Sequence, residues 1–123
     1  MENVNVPGKK LAIVIISGSD QILKVISGLH IANRVHEVKQ DNGIDATEVF
    51  FFAGGSKLLV AIPDEVNQIL QKVMLNGITV KACKNEAKAW GFEEQAKNLG
   101  IQLEFARDAF SRYVREGYTV FTF

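Results

Sequence analysis

Apolar and polar residues alternate along this chain in blocks that predict strands and helices in turn. Residues 11–16 are apolar at every position and rich in β-branched side chains, which is typical of a strand covered on both faces. After a turn at residues 17–20, apolar side chains recur every three or four positions up to about residue 38, with Asp20 as a possible N-cap. The pattern therefore predicts a strand followed by an amphipathic helix.

The same order of elements continues to the end of the chain. Further apolar runs predict strands at residues 47–53, 78–83, 101–105 and 118–123. Periodic segments between them predict helices at residues 63–75, 86–99 and 108–115, the second interrupted at Gly91, while residues 56–62 are predicted to be a connection. Because parallel strands are usually joined by a helical crossover, this order predicts an α/β fold, a three-layer sandwich around a mainly parallel five-stranded sheet.

The composition bounds the class of protein. The chain has 123 residues, with 14 Lys plus Arg against 14 Asp plus Glu, and we expect residues 1–123 to form one domain with a polar lead at residues 1–10. A balanced charge argues against nucleic acid as a partner. The lead lacks the apolar region of a signal peptide, and the longest apolar run is far below the ~20 residues of a transmembrane helix. We therefore expect a cytoplasmic protein without a membrane partner.

The single cysteine is the main candidate for chemistry. One thiol allows no internal disulfide, and no cluster of Cys with His has the spacing of zinc ligands, so no metal site is expected. Cys83 ends the third predicted strand just before a helix, with Lys84 beside it and Lys81 two residues back, and helix-start amides and cations favour a thiolate. Equally, Cys83 could be a small buried side chain that finishes an apolar strand.

A cysteine hydrolase would need a histidine base as well. His30 and His36 are the two histidines, and both fall in the first predicted helix, where we expect them to be structural or solvent-facing. A Cys-His hydrolase is therefore disfavoured, and chemistry that needs only a nucleophilic sulfur fits the residues better.

Two loops at the carboxyl ends of strands are further candidates, because open parallel sheets bind ligands at that edge. Gly54 and Gly55 follow the second strand and could line a pocket beside Cys83, although the phosphate-loop spacing is missing. Residues 17–20 could cradle an anion or a flavin phosphate, or simply form the turn that starts a helix. At the end of the chain, residues 119–123 (TVFTF) predict either a buried strand or a subunit contact.

Four segments resemble the DsrE/DsrF-like family, whose members include TusD-like subunits of sulfur-relay complexes. The segments read KLAIVIISGSD, VFFFAGGSKLL, GITVKACKNEAKAWGF and GYTVFTF, and they cover nearly the whole chain in order. The most specific part of the resemblance is Cys83 followed by Asn85 and, after a short helix, Gly91. Where this chain has Lys84, many relatives have a small residue, often glycine.

The resemblance implies a flavodoxin-like sandwich that assembles as a homotrimer or hexamer. It also implies that Cys83 carries sulfane sulfur as a persulfide. From their places in the sequence, we expect Lys84 and Asn85 to support that role, and Gly54 and Gly55 to shape the pocket. Sulfur donor and acceptor proteins or small thiols would then be the partners, and no cofactor would be needed.

Three hypotheses about function follow. The first is an intracellular sulfurtransferase or sulfur carrier that uses Cys83 and passes the sulfur to an acceptor protein. The second is a non-catalytic oligomeric scaffold subunit of a sulfur-relay complex. The third is a small-ligand-binding domain of flavodoxin-like shape.

Overall fold

A parallel sheet forms the centre of the fold in the computed structural model, which describes residues 8–123. Its strands are β1 (Lys10–Ile15), β2 (Ala46–Phe51), β3 (Thr79–Cys83), β4 (Gln102–Glu104) and β5 (Tyr118–Thr122). They lie in the order β4-β3-β2-β1-β5, and every neighbouring pair is parallel. The predicted five-stranded parallel sheet is confirmed.

Helices connect the strands. They are α1 (Ile22–Glu37), α2 (Lys39–Asn42), α3 (Gly54–Leu58), α4 (Asp64–Leu75), α5 (Lys84–Trp90), α6 (Glu93–Leu99) and α7 (Ala106–Glu116), with a 3₁₀ turn at Ser19–Gln21 before α1. Among these helices of the described residues, none has both the length and the apolar character needed to cross a membrane.

The two faces of the sheet are covered unequally. One face packs against α1, α3, α4, α5 and α6 through a large core that includes Ile13, Val49 and Phe51. The opposite face packs mainly against α7 through a smaller core of Ala12, Val14, Phe50, Cys83, Ala109 and Tyr113. Successive side chains of a strand point to opposite faces, so each unbroken apolar run supplies both cores. The predicted three-layer α/β sandwich is confirmed.

Several local predictions were wrong or inexact. Helix α3 (Gly54–Leu58) takes in the first three positions of the connection predicted at residues 56–62. Asp20 makes no capping hydrogen bond, and Gln21, which directly precedes α1, carries no side-chain cap. Two glycines give residues 54–58 a low helix propensity. Burial outweighs that propensity, because Leu58 enters the core and the Ser56 hydroxyl donates to the Phe51 carbonyl oxygen at 3.0 Å.

The helix ends that were predicted at glycines agree with the structure. Gly91 separates α5 from α6 with a φ of 72°, and Gly77 follows α4 with a φ of 85°, both in the left-handed region that glycine adopts without strain. Of the predicted polar lead, residues 1–7 lie outside the described residues, and Lys10 already belongs to β1.

The last strand lies at the edge of the sheet and is not buried. β5 pairs with β1 alone, and Val120 and Phe121 are 42% and 54% exposed on opposite faces. The interpretation of residues 119–123 as a buried strand is therefore wrong for the single chain, and a large apolar area stays accessible at this edge.

Candidate functional site

Cys83 lies where two neighbouring strands send their chains to opposite faces of the sheet. It is the last residue of β3 and pairs in register with Glu104, the last residue of β4. From β3 the chain enters α5 on the larger-core side, whereas from β4 it enters α7 on the other side. Such a topological switch point opens a crevice at the carboxyl edge of a parallel sheet, where ligands of α/β proteins bind.

The crevice is a cavity of about 470 Å³ that Cys83 helps to line. The other lining residues are Phe52, Asn85, Glu86, Phe105, Ala106 and Arg107. Cys83 itself is only 3% exposed and belongs to the smaller core. In the single chain the sulfur is therefore covered, as in the interpretation of Cys83 as a small buried side chain that finishes an apolar strand. A reagent would need an opening of the structure, local or global, to reach the thiol.

The groups predicted to favour a thiolate make other contacts. Cys83 precedes α5, yet its side chain receives no capping hydrogen bond from the first turn of that helix. The Lys81 ammonium group pairs with the Glu104 carboxylate at 3.2 Å. The Lys84 ammonium group stands over the Phe105 ring, 5.3 Å from its centroid. Because Phe105 lines the cavity, Lys84 lies beside the cavity as well. The charge of Lys81 is compensated by Glu104.

An ionic network lies on the same face of the sheet as Cys83. The Arg112 guanidinium donates to Glu48 at 2.7 Å and to Glu104 at 2.9 Å, and the Tyr113 hydroxyl donates to Glu48 at 2.5 Å. Lys81 completes the network through Glu104. Two carboxylates and two cations balance in charge, and the contacts fasten α7 to β2, β3 and β4. The helix that forms one side of the Cys83 cavity is therefore held by charge as well as by apolar packing.

The network shifts the pKa of several members. Hydrogen bonds that Arg112 donates to Glu104 and then to Glu48 raise the pKa of Arg112. Burial, followed by the hydrogen bond to Glu48, raises the pKa of Tyr113 well above its ordinary value. Burial alone would raise the pKa of Glu104, but hydrogen bonds from Arg112 and Lys81 outweigh it and lower that pKa. Over the neutral range the network thus keeps Glu104 charged and Tyr113 protonated.

A strained turn follows β2 at the edge of the cavity. The Gly55 amide donates to the Phe52 carbonyl oxygen at 3.1 Å, and Ala53 has φ 56° and ψ −121°. These angles belong to the first central position of a type II′ turn, which glycine normally occupies. Within residues 8–123, Ala53 is the one non-glycine residue with positive φ. Such a conformation costs about 1–3 kcal/mol and persists where the surroundings impose it.

Glu86 supplies the contact that holds this turn. The Ala53 amide donates to both carboxylate oxygens of Glu86, at 2.9 and 3.2 Å. Glu86 lies in the first turn of α5, three residues after Cys83, and it lines the same cavity. No sequence signal singles out this residue, because a glutamate in the first turn of a helix is common and only the fold brings it to Ala53.

The two glycines after β2 do not line the Cys83 cavity, so their predicted role is corrected. A Cβ atom on Gly55 would overlap the Ile15 carbonyl oxygen, and one on Gly54 would lie 2.7 Å from the Ile16 carbonyl oxygen. Both glycines therefore allow α3 to approach β1 closely. Gly54 lines a different cavity of about 750 Å³, together with the loop at residues 17–20.

The remaining candidate residues from the sequence are Asn85 and the two histidines. Asn85 lines the Cys83 cavity. His30 and His36 lie in α1, on the opposite side of the sheet from Cys83, and neither lines the cavity. Across residues 8–123, no group of three or more His, Cys, Asp or Glu side chains could hold a metal ion.

Comparisons with known proteins identify the fold. No protein-family model matches the chain, and no curated protein matches its sequence significantly. Similar solved structures include the conserved protein of unknown function BT1422 from Bacteroides thetaiotaomicron, the YchN protein from E. coli, and the protein of unknown function MTH1491 from Methanobacterium thermoautotrophicum.

The similarity extends over most of each chain but is low in sequence. For BT1422 the TM-score is 0.72 at 18% identity, covering 91% of this chain and 94% of that one. For YchN it is 0.64 at 15% identity, covering 94% and 99%, and for MTH1491 it is 0.62 at 15% identity, covering 94% and 98%. At these identities the similarity establishes the α/β fold of the chain and leaves its chemistry to be argued from the site.

Proposed function

We propose that this chain is a cytoplasmic sulfur carrier of the DsrE/DsrF-like family that holds sulfane sulfur as a persulfide on Cys83. One observation carries the proposal: the single thiol of the chain lines a cavity at the switch point of the sheet. The family resemblance of the segment around Cys83 and Asn85 supports it. So does the similarity in fold to YchN and MTH1491, which have a DsrE-like fold.

The chemistry needs two exchanges at one sulfur atom. With thiosulfate as donor, the Cys83 thiolate attacks the outer sulfur, the sulfur–sulfur bond breaks, and sulfite leaves with the electron pair. The product is the persulfide anion on Cys83. After protonation of the persulfide, an acceptor thiolate attacks its outer sulfur, and Cys83 leaves as a thiolate. No net oxidant or reductant is consumed, and the reaction needs no cofactor.

The residues around the sulfur suit these steps to different degrees. Lys84 and Arg107 place cationic groups over the Phe105 ring at 5.3 Å each, beside the cavity that an anionic donor would enter. Asn85 offers an amide that can donate to a bound oxyanion. Because the chain holds one cysteine, a persulfide cannot be resolved internally and must pass to another molecule.

Partners in this proposal are sulfur donor and acceptor proteins or small thiols, and the chain itself assembles as a trimer or hexamer. The exposed apolar side chains of the edge strand, Val120 and Phe121, support self-association, since extended apolar areas of this kind mark contact surfaces. Size-exclusion chromatography with light scattering measures the assembly directly. A monomer at micromolar concentration contradicts this part of the proposal.

Mass spectrometry tests the transfer. The chain is incubated with thiosulfate or polysulfide, and the intact mass is compared for wild type and Cys83→Ser. We expect a gain of one or more sulfur atoms on the wild type alone, reversed by a thiol acceptor. An unmodified wild type, or the same adduct on Cys83→Ser, contradicts the proposal.

A second function is favoured by the 3% exposure of Cys83. A buried thiol that never opens fits a non-catalytic scaffold subunit, whose oligomer positions another protein for sulfur chemistry. Slow alkylation of Cys83 in a stable oligomer, at the rate set by global unfolding, supports this alternative. Alkylation much faster than unfolding contradicts it.

A further inference from the structure

The segment that leaves β2 contributes one wall of the Cys83 cavity. Phe52, the residue before the strained Ala53, lines the Cys83 cavity and packs edge-on against Phe110 of α7, with ring centroids 5.5 Å apart. Phe52 also lines the apolar cavity next to it, of about 420 Å³, between α7 and β5. A ring placed between two cavities can move without entering a filled core. The position of Phe52 therefore controls how far the sulfur is covered.

The turn that carries Phe52 is held by backbone contacts and by one side-chain carboxylate. The Phe52 amide donates to the Ile15 carbonyl oxygen at 3.0 Å, and the Lys57 amide donates to the Ala53 carbonyl oxygen at 3.1 Å. The Ala53 amide has the Glu86 carboxylate as its acceptor, and the two residues are 33 positions apart in the chain. Glu86 belongs to the helix that begins directly after Cys83. The contact therefore ties the strained turn to the element that positions the sulfur.

Loss of this contact removes the side-chain acceptor that opposes the strain, while the backbone hydrogen bonds of Phe52 and Ala53 remain. An alanine in the first central position of a type II′ turn favours a return to negative φ, and the carboxylate is the acceptor that holds its amide in place. Rotation of Ala53 would move the end of β2 and the Phe52 ring. The sulfur would then face both cavities.

We propose that Glu86 is a positioning residue for Cys83: its carboxylate latches the strained Phe52–Gly55 turn closed over the sulfur, and release of that latch exposes the thiol. The latch concerns the same site as the proposed sulfur carrier, and its use in admitting a donor rests on that proposed function. The geometry of the latch can be tested without sulfur transfer.

Native-state alkylation of Cys83 by iodoacetamide measures the latch, because the chain has one thiol. In Glu86→Ala the rate is expected to rise at least about tenfold over wild type, since the strain of one positive-φ residue shifts a local equilibrium by that order. Glu86→Gln keeps an oxygen that can accept from the Ala53 amide, so its rate is expected to stay within about threefold of wild type. Glu93→Ala, at an exposed position in the first turn of α6, is the matched control with an unchanged rate.

A second substitution separates the latch from a general loss of stability. Ala53→Gly lets the turn keep its angles without strain, so Ala53→Gly combined with Glu86→Ala is expected to return the rate to within about threefold of wild type. If a variant opens only locally, its alkylation rate changes little with low urea, whereas opening by global unfolding follows the full denaturant dependence.

Several outcomes overturn the latch. They are a Glu86→Ala rate equal to wild type, a rate that rises only with the unfolded fraction, and a double variant as fast as the single one. If Glu86→Ala does not fold, Ala53→Gly alone decides: it keeps the carboxylate and is expected to react no faster than wild type, and a faster rate overturns the latch.

Sulfur loading of the wild type, measured in parallel, distinguishes the two proposals. A wild type that gains no sulfur while Glu86→Ala alkylates faster overturns the carrier function and supports the latch. A wild type that gains sulfur while Glu86→Ala alkylates at the wild-type rate overturns the latch alone.

Discussion

The ionic network around Arg112 leads us to expect a large loss of stability when the Arg112 cation is removed. In Arg112→Met the side chain keeps its apolar stem, but Glu48 loses a cation at 2.7 Å and Glu104 loses one at 2.9 Å. The side chains of Arg112, Glu48 and Glu104 are 16%, 7% and 22% exposed, so solvent screens their charges poorly. The variant therefore leaves carboxylates partly uncompensated beneath α7.

The size of the expected loss in free energy of unfolding depends on the partners that Glu48 and Glu104 keep. Removal of one partner from a buried ion pair costs about 3–5 kcal/mol. Glu48 keeps the Tyr113 hydroxyl and Glu104 keeps Lys81, so we expect a loss near the lower end, about 3 kcal/mol. Urea denaturation at pH 7 measures it as a lower midpoint with an unchanged slope. Arg107→Met in the same helix is the control, because its partner Asp108 is exposed and such pairs contribute about 0–1 kcal/mol.

The difference between wild type and variant must also depend on pH. The folded-state pKa of Glu104 lies below its ordinary value of 4.5 because of Arg112 and Lys81. Its contribution is therefore complete above pH 4.5 and is lost as the pH falls through the lowered pKa. The variant has less of this contribution to lose, so the gap in free energy of unfolding narrows toward pH 3. A gap below about 1 kcal/mol at pH 7, or one equally large at pH 3, refutes the assignment of Arg112 as the compensating charge.

Three further predictions concern the turn and the smaller core. Ala53→Gly should raise the free energy of unfolding by about 1 kcal/mol in urea, because the relief of strain exceeds the added backbone entropy of the unfolded chain; a loss of stability would contradict the strain. Gly55→Ala should cost about 3 kcal/mol or prevent folding, because the new methyl group meets the Ile15 carbonyl oxygen, and a neutral result by thermal unfolding would rule out that contact. Above pH 10 the unfolded chain ionises a tyrosine that the fold keeps protonated, since burial and Glu48 raise the pKa of Tyr113, so stability should fall with pH and fall less in Tyr113→Phe.

The order of the strands and helices and the class of fold could be predicted from local patterns in the sequence. Unbroken apolar runs such as residues 11–16 predict strands with both faces covered, and helical spacing between such runs requires crossovers, so a parallel sandwich follows from local patterns. Gly77 and Gly91 also gave reliable helix ends, because the left-handed conformation is a property of the residue itself. The place of Cys83 at the end of a strand was predicted from the apolar run at residues 78–83.

The surroundings of the sulfur, by contrast, depend on long-range contacts of the folded chain. The contact of Glu86 with Ala53, the compensation of Lys81 by Glu104, and the close approach of Gly55 to β1 join residues that are distant in the chain. Sequence periodicity reports which side of an element is apolar and carries no information on which distant polar groups meet. Burial of Cys83 likewise depends on where α7 lies, and α7 is placed by the Glu48 and Glu104 contacts of Arg112.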